Sequence, residues 1–190
     1  ANLFRAQERA TAAGGTFDAY DRYRTTDLQF GGILPLKDWL GASNVTLRAE
    51  ANVALVHGLP DPNVLRYARA EVFGNGPIGG TCPAGTSAIT CSNNGYVTPS
   101  AWNFLLRATG SYPQALGSFT LRPTLTYQQD VHGYSNDGSI REGRRLLTVG
   151  MDFVRANLVL NATVVHNIGR STYDNTSDRN FVAVSGSMRF

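Results

Sequence analysis

The sequence reads as all-β, an antiparallel barrel that crosses a membrane with strands. Segments of about ten residues alternate apolar and polar side chains with a period of two, the mark of strands with unlike faces. The connections between them run short, long, short, long, very short, long. The last segment stops on an aromatic residue, Phe190.

Residues 1–17 carry Gly14 and Gly15 without a period and are expected to be loop. A first strand runs from Asp18 to Ile33, with Leu28 and Phe30 on one face and Asp27, Gln29 and Gly31 on the other. Pro35, Gly41 and Ser43 predict a turn over residues 34–43. From Asn44 to Val56 the alternation is clearest: Val45, Leu47, Ala49, Ala51 and Val53 oppose Thr46, Arg48, Glu50 and Asn52. Residues 57–100 form a long loop rich in Gly and Pro. The third strand, Trp102 to Tyr112, sets Trp102, Phe104, Leu106 and Ala108 against Asn103, Arg107 and Thr109. A turn at Pro113–Gly117 leads to the fourth, where Phe119, Leu121, Pro123, Leu125 and Tyr127 oppose Thr120, Arg122, Thr124, Thr126 and Gln128.

After a loop over residues 130–144, the fifth strand spans Arg145 to Arg155, with Leu147, Val149, Met151 and Phe153 against Thr148, Gly150 and Asp152. A tight turn at Ala156-Asn157 opens the sixth, where Leu158, Leu160, Ala162 and Val164 oppose Asn161 and Thr163. Residues 168–179 are loop, and 180–190 are the closing strand. Its length suits a tilted membrane strand of ~9–11 residues.

Outer-membrane barrels have short periplasmic turns and longer outer loops. Counting back from Phe190, every long connection falls outside and every short one inside. The loop 57–100 is therefore expected to be extracellular. Phe119 and Tyr127 lie about 20 Å apart vertically at ~3.3 Å per residue and ~40° tilt, near the ~25 Å apolar band. Tyr112, Phe119, Phe153 and Phe190 form the expected periplasmic-side aromatic girdle, and Trp102 and Tyr127 the outer one. The competing interpretation is the core stripe of a soluble β-sandwich.

Composition bounds the function. The chain has 190 residues, 16 % of them charged, and a net charge of +3. Its mean hydropathy is −0.19. No apolar run of ~18 residues exists for a transmembrane helix, a test barrels escape because lipid- and lumen-facing residues cancel. Basic residues are scattered, so no nucleic-acid partner is expected. The start of the chain has no apolar signal-peptide core. A barrel must be exported, so either a signal was removed or the chain is a piece of something longer. Cys82 and Cys91, in a Gly/Pro/Ser/Thr-rich segment, are expected to pair as a disulfide in an oxidising compartment. No neighbouring His or Cys completes a zinc site, and no metal is expected.

The polar face carries Arg48, Glu50, Arg107, Arg122 and Asp152 at similar depth. They are expected to form a charged patch on the lumen wall, with Arg107 and Arg122 adjacent across their hairpin. Such rings set pore selectivity; a network that merely stiffens the wall is the other interpretation. Gly74-x-Gly76-x-x-Gly79 matches a dinucleotide pattern by letters, but Pro77 and the lack of a following helix make it loop composition. Asn136-Asp137-Gly138-Ser139 reads as a turn, or else a surface calcium site. His57, His132 and His166 are far apart in sequence, with no Gly-x-Ser-x-Gly element for a hydrolase. The sequons at Asn44, Asn161 and Asn175 are discounted, two of them lying on strands.

Several blocks carry a family resemblance. They are Tyr20-Asp21, Leu40-Gly41-Ala42 with Ala49-Glu50, Leu65-Arg66-Tyr67, residues 97–102, residues 130–135, Glu142-Gly143-Arg144 and residues 178–182. Together they resemble the C-terminal part of a proteobacterial outer-membrane β-barrel family of unknown function. Asn180 and the Met188-Arg189 end depart from its pattern. The resemblance implies a bacterial outer-membrane location, a much longer parent chain and a setting of uptake of poorly soluble organic compounds. It implies no catalytic residue and no cofactor. A terminal Phe like Phe190 also resembles the signal read by the barrel-assembly machinery.

Seven strands are odd and leave edges that hydrocarbon does not tolerate, so upstream strands are expected to complete the barrel. The expected function is non-enzymatic: porin-like passage or handling of small solutes, hydrophobic ones included, with membrane lipid as partner. The alternative is a structural barrel docked to other envelope subunits. A loop 57–100 folded inward would act as constriction or plug; one standing outward would be a docking surface.

Overall fold

Seven strands form one antiparallel sheet in which each pairs with its sequence neighbours. They are β1 (Arg24–Trp39), β2 (Ala42–His57), β3 (Ser100–Leu116), β4 (Phe119–His132), β5 (Arg145–Arg155), β6 (Leu158–Gly169) and β7 (Phe181–Met188). This computed structural model describes residues 12–16, 20–78, 81–169 and 171–189. Most of the leading segment, the expected start of the first strand at Asp18, Gly79 and the terminal Phe190 lie outside that range. β1 and β7 are the two edges, and the sheet is not closed into a barrel.

The meander puts three two-residue turns at one end, residues 40–41, 117–118 and 156–157. The three long connections gather at the other end. Leu40 and Gly41 both have positive φ, 54° and 76°, which gives the turn a twist matching that of its strands.

β1 lies further along the chain than the alternation implies: it starts at Arg24, since residues 20–23 are not strand. It passes through Pro35 to Trp39, so the turn expected over residues 34–43 shrinks to two residues. Proline is tolerated there because β1 is an edge. β3 likewise runs past Pro113 to Leu116, where the register shifts between Tyr112 and Leu116 and Gln114 takes φ 53°. Such a bulge absorbs a residue that cannot donate to the ladder.

The register makes the two faces explicit, because cross-strand partners share a face. Leu28, Val53, Trp102 and Phe30, Ala51, Phe104 lie on one side. Leu125, Val149 and Val164 continue that side across the sheet. No layer of the described residues covers it: Phe30 is 60 % exposed, Leu125 50 % and Val184 78 %. The buried apolar cluster, Ala54, Ala101 and Ile140, sits on the other face, where the β4–β5 connection folds over the sheet.

Candidate functional site

Four rows of hydrogen-bonded side chains cross the polar face. Nearest the long connections, Asn52 Nδ2 donates to Asn103 Oδ1 at 2.9 Å, and Asn103 Nδ2 donates to Asp130 Oδ1 at 3.2 Å. In the next row Arg48 stands directly opposite Arg107. Like charges so placed repel, and each guanidinium is held by another group. Arg48 Nε donates to Glu50 Oε1 at 2.8 Å, and Arg107 Nε to Thr126 Oγ1 at 3.1 Å. Below them the Thr109 and Thr124 hydroxyls meet at 3.2 Å. Towards the short turns, Asn161 Nδ2 donates to Asp152 Oδ1 at 2.6 Å and Thr163 Oγ1 to Asn161 Oδ1 at 2.9 Å.

The charged residues thus form two groups rather than one patch. Arg48, Glu50 and Arg107 come together; Arg122 and Asp152 are register partners nearer the short turns. Arg107 and Arg122 are not adjacent as expected, because β3 runs on past Pro113 and reverses only at residues 117–118, which sets Arg107 opposite Thr126. Asn52, Asn103, Thr126 and Asn161 belong to the wall as much as the charges do. Alternation alone places them on this face, but only the register shows what each one meets.

At the far end the three long connections form a folded layer. Asp130, only 1 % exposed, is its anchor. Its Oδ2 accepts from Arg144 Nε at 2.7 Å and from the Arg141 backbone at 2.9 Å. Arg141 Nη1 reaches on to Asp174 Oδ1 at 2.5 Å, tying the β4–β5 connection to the β6–β7 one. Burial works against the Asp174 carboxylate, but bonds from Thr176 and Arg141 outweigh it and hold the group below the usual carboxylate range.

In the β2–β3 connection the buried Arg69 donates to the carbonyls of Gly74, Ile89, Thr90, Ser92 and Asn94. Two of those carbonyls belong to a one-turn helix, α1 (Ala88–Cys91), which the Cys82–Cys91 disulfide closes as expected. The Arg69 guanidinium lies 4.2 Å from the Tyr96 ring centroid, and the Tyr173 hydroxyl donates to Ile89 O at 3.0 Å. Tyr173 packs so close to Gly95 that a Cβ there would sit 2.4 Å from its ring, and Gly95 also has φ +83°. Only glycine fits.

Blocks distant in the chain meet here. Tyr67 donates to Asp21 Oδ2 at 2.6 Å, leaving Tyr23 to donate to Tyr67 at 2.8 Å. Burial, then these two bonds, push the Tyr67 phenol up. Glu142 Oε2 accepts from Gly133 N at 2.7 Å and lies 3.2 Å from His132 Nδ1. Asp137 Oδ1 accepts from Ser135 Oγ at 2.5 Å and from Ser139 N at 3.0 Å, so the Asn136–Ser139 stretch is built as a turn. His57 bonds Thr26 Oγ1 at 2.9 Å, while His166 lies on β6 opposite Leu147, on the apolar face. The described histidines do not converge. Among the described residues no three His, Cys, Asp or Glu side chains are placed to hold a metal.

The expected girdle residues fall toward opposite ends of the strands. Tyr112, Phe119 and Phe153 lie near the short turns; Trp102, opposite His132, and Tyr127, opposite Leu147, lie toward the long connections. Phe190, which was to complete the first set, is outside the described residues.

No curated protein matches this sequence, and no solved structure matches it. Residues 2–190 match the model of a family described as "Protein of unknown function (DUF1302)". With its whole seven-strand sheet inside that match, the chain belongs to the DUF1302 family.

Proposed function

We propose that this sheet is a wall of an outer-membrane β-barrel that passes or handles small solutes in a porin-like way, hydrophobic ones included. The uncovered apolar face supports the proposal best. It runs from Phe30 on one edge strand to Val184 on the other. An uninterrupted apolar surface of that extent exceeds what a monomeric soluble protein leaves in water. A β-sandwich would stack a second sheet ~10 Å away on that face. Here the chain instead folds the β4–β5 connection over the polar face.

Lipid then covers the apolar side, the aromatic residues lie at the two interfaces, and the hydrogen-bonded rows line the lumen. The two edges pair with further strands, since an unpaired edge is not viable in hydrocarbon. The loop 57–100, whose path was to discriminate the two readings, is tied to the other long connections through Ile89 and Thr98. It is the β4–β5 connection that packs on the polar face, and this favours a constriction over a free-standing docking surface. The alternative, a plugged accessory barrel in a larger envelope assembly, differs in one measurable respect: it does not conduct.

Two measurements test the proposal. Envelope fractionation should find the protein in the outer membrane, extracted only by detergent; a monodisperse protein in plain buffer defeats the lipid assignment. In planar bilayers, Arg48→Gln with Arg107→Gln should shift the barrel's ion preference toward cations, while Arg122→Gln acts separately. If conductance is present and selectivity does not move, the pair only stiffens the wall.

A further inference from the structure

We propose that the three long connections enclose a binding cleft for a small, uncharged, mostly apolar molecule carrying a single hydroxyl or carbonyl group. The proposal rests on the barrel reading only for the direction of arrival, from the outer mouth of the pore. The cleft holds about 570 Å³, within the ~300–1,000 Å³ typical of small-molecule sites. Leu59, Pro60, Leu65 and Val97 line it from the β2–β3 connection, Tyr134 from the next and Ser171 from the last.

Most polar groups in its wall are already committed. Arg66 donates to Asn93 Oδ1 at 2.9 Å and to Gly76 O at 2.5 Å, and the Asn93 amide donates to Asn63 Oδ1 at 2.7 Å. Tyr67 gives its proton to Asp21. Thr98 Oγ1 donates to Ser100 O at 2.6 Å and accepts from Tyr134 N at 2.9 Å. Two neighbouring hydroxyls are the exceptions: Ser171 is 5 % exposed and its Oγ has no hydrogen-bond partner among the described residues, and the Tyr134 phenol has none there either. The Tyr134 phenol is close by. Burial raises its pKa and the nearby Ser171 hydroxyl opposes that rise, without the two reaching hydrogen-bond geometry.

A buried hydroxyl left unpaired is costly, and a ligand that supplies a partner recovers that cost. Two adjoining free hydroxyls, with Leu59, Leu65 and Val97 in the same wall, suit one polar atom on the ligand. A sugar would need many uncommitted partners. An anion would need a free cation, but the Arg66 guanidinium is spent on an amide and a carbonyl. At the rim Glu142 already faces His132 at 3.2 Å, so no unpaired carboxylate invites a cation there.

The test is 2-naphthol titrated by its fluorescence into the full chain in lipid nanodiscs, with empty discs subtracted and naphthalene and maltose as comparators. Saturable binding of one 2-naphthol per chain is expected. Naphthalene should bind about five- to tenfold more weakly, the factor for one hydrogen bond, and maltose should not compete. Ser171→Ala combined with Tyr134→Phe should bring 2-naphthol down to the naphthalene level and leave naphthalene unchanged. Pro62→Trp, at the exposed cleft rim, should weaken both. The proposal is overturned by absence of saturable binding, equal affinity for the two aromatics, displacement by maltose, or unchanged 2-naphthol binding in the Ser171→Ala, Tyr134→Phe double variant. If the chain is monodisperse without detergent, the barrel reading fails; the same titration in plain buffer then decides the cleft alone.

Discussion

Asp130 shows how one residue joins the sheet to its loops. Its carboxylate gathers Asn103, Gln128, Arg141 and Arg144, so Asp130→Asn would point an amide N–H at groups that are themselves donors. Breaking a buried pair of this kind costs about 3–5 kcal/mol. We expect a correspondingly lower urea midpoint for the variant, and an unchanged midpoint would show the anchor to be dispensable. Asp174 adds a pH dependence. Its folded pKa is depressed, so its contribution is present above the unfolded value of ~3.9 and lost as pH falls through the folded one. Amide exchange over residues 171–180 should accelerate below about pH 4, and that acid step should vanish in Asp174→Asn. Neither role was legible in the sequence. Asp130 follows a polar strand residue at the expected spacing, but its partners Arg141 and Arg144 lie across a loop whose path no periodicity describes.

Among the elements, β5 matches its expected bounds, Arg145–Arg155, because a tight turn and a loop frame an uninterrupted alternation. β1 and β3 both end later than expected for a common reason: proline reads as a stop, while an edge and a bulge each tolerate it. The Cys pair was legible from its local setting. Its structural consequence was not, since α1 presents carbonyls to Arg69, about twenty residues upstream. Closing a loop of this size stabilises by roughly 2–3 kcal/mol. Replacing both cysteines by serine should raise amide exchange across residues 58–99 while leaving the sheet strands protected. Loss of protection in the strands as well would mean that the loop layer and the sheet unfold together.

At the scale of the whole molecule, the two faces make opposite demands. Leu125 and Thr124 are neighbours in β4 with side chains on opposite sides. In a membrane-embedded wall, Leu125→Arg should cost about 2–4 kcal/mol near the midplane and block assembly, while Thr124→Arg is tolerated in the lumen. Equal tolerance of both would remove lipid from the apolar side. The sequence by itself determined the strand count, the two faces and the alternation of short and long connections. Those follow from a side-chain period of two and from local turn chemistry, which act between residues near in the chain. The tertiary structure alone decided which polar residues share a row, that Arg107 stands apart from Arg122, that the β4–β5 connection folds over the polar face, and that the three long connections frame a cleft. Those depend on register and on contacts such as Arg141 with Asp174, 33 residues apart. No local pattern encodes a meeting between chain segments whose separation is set by the path of the loops between them.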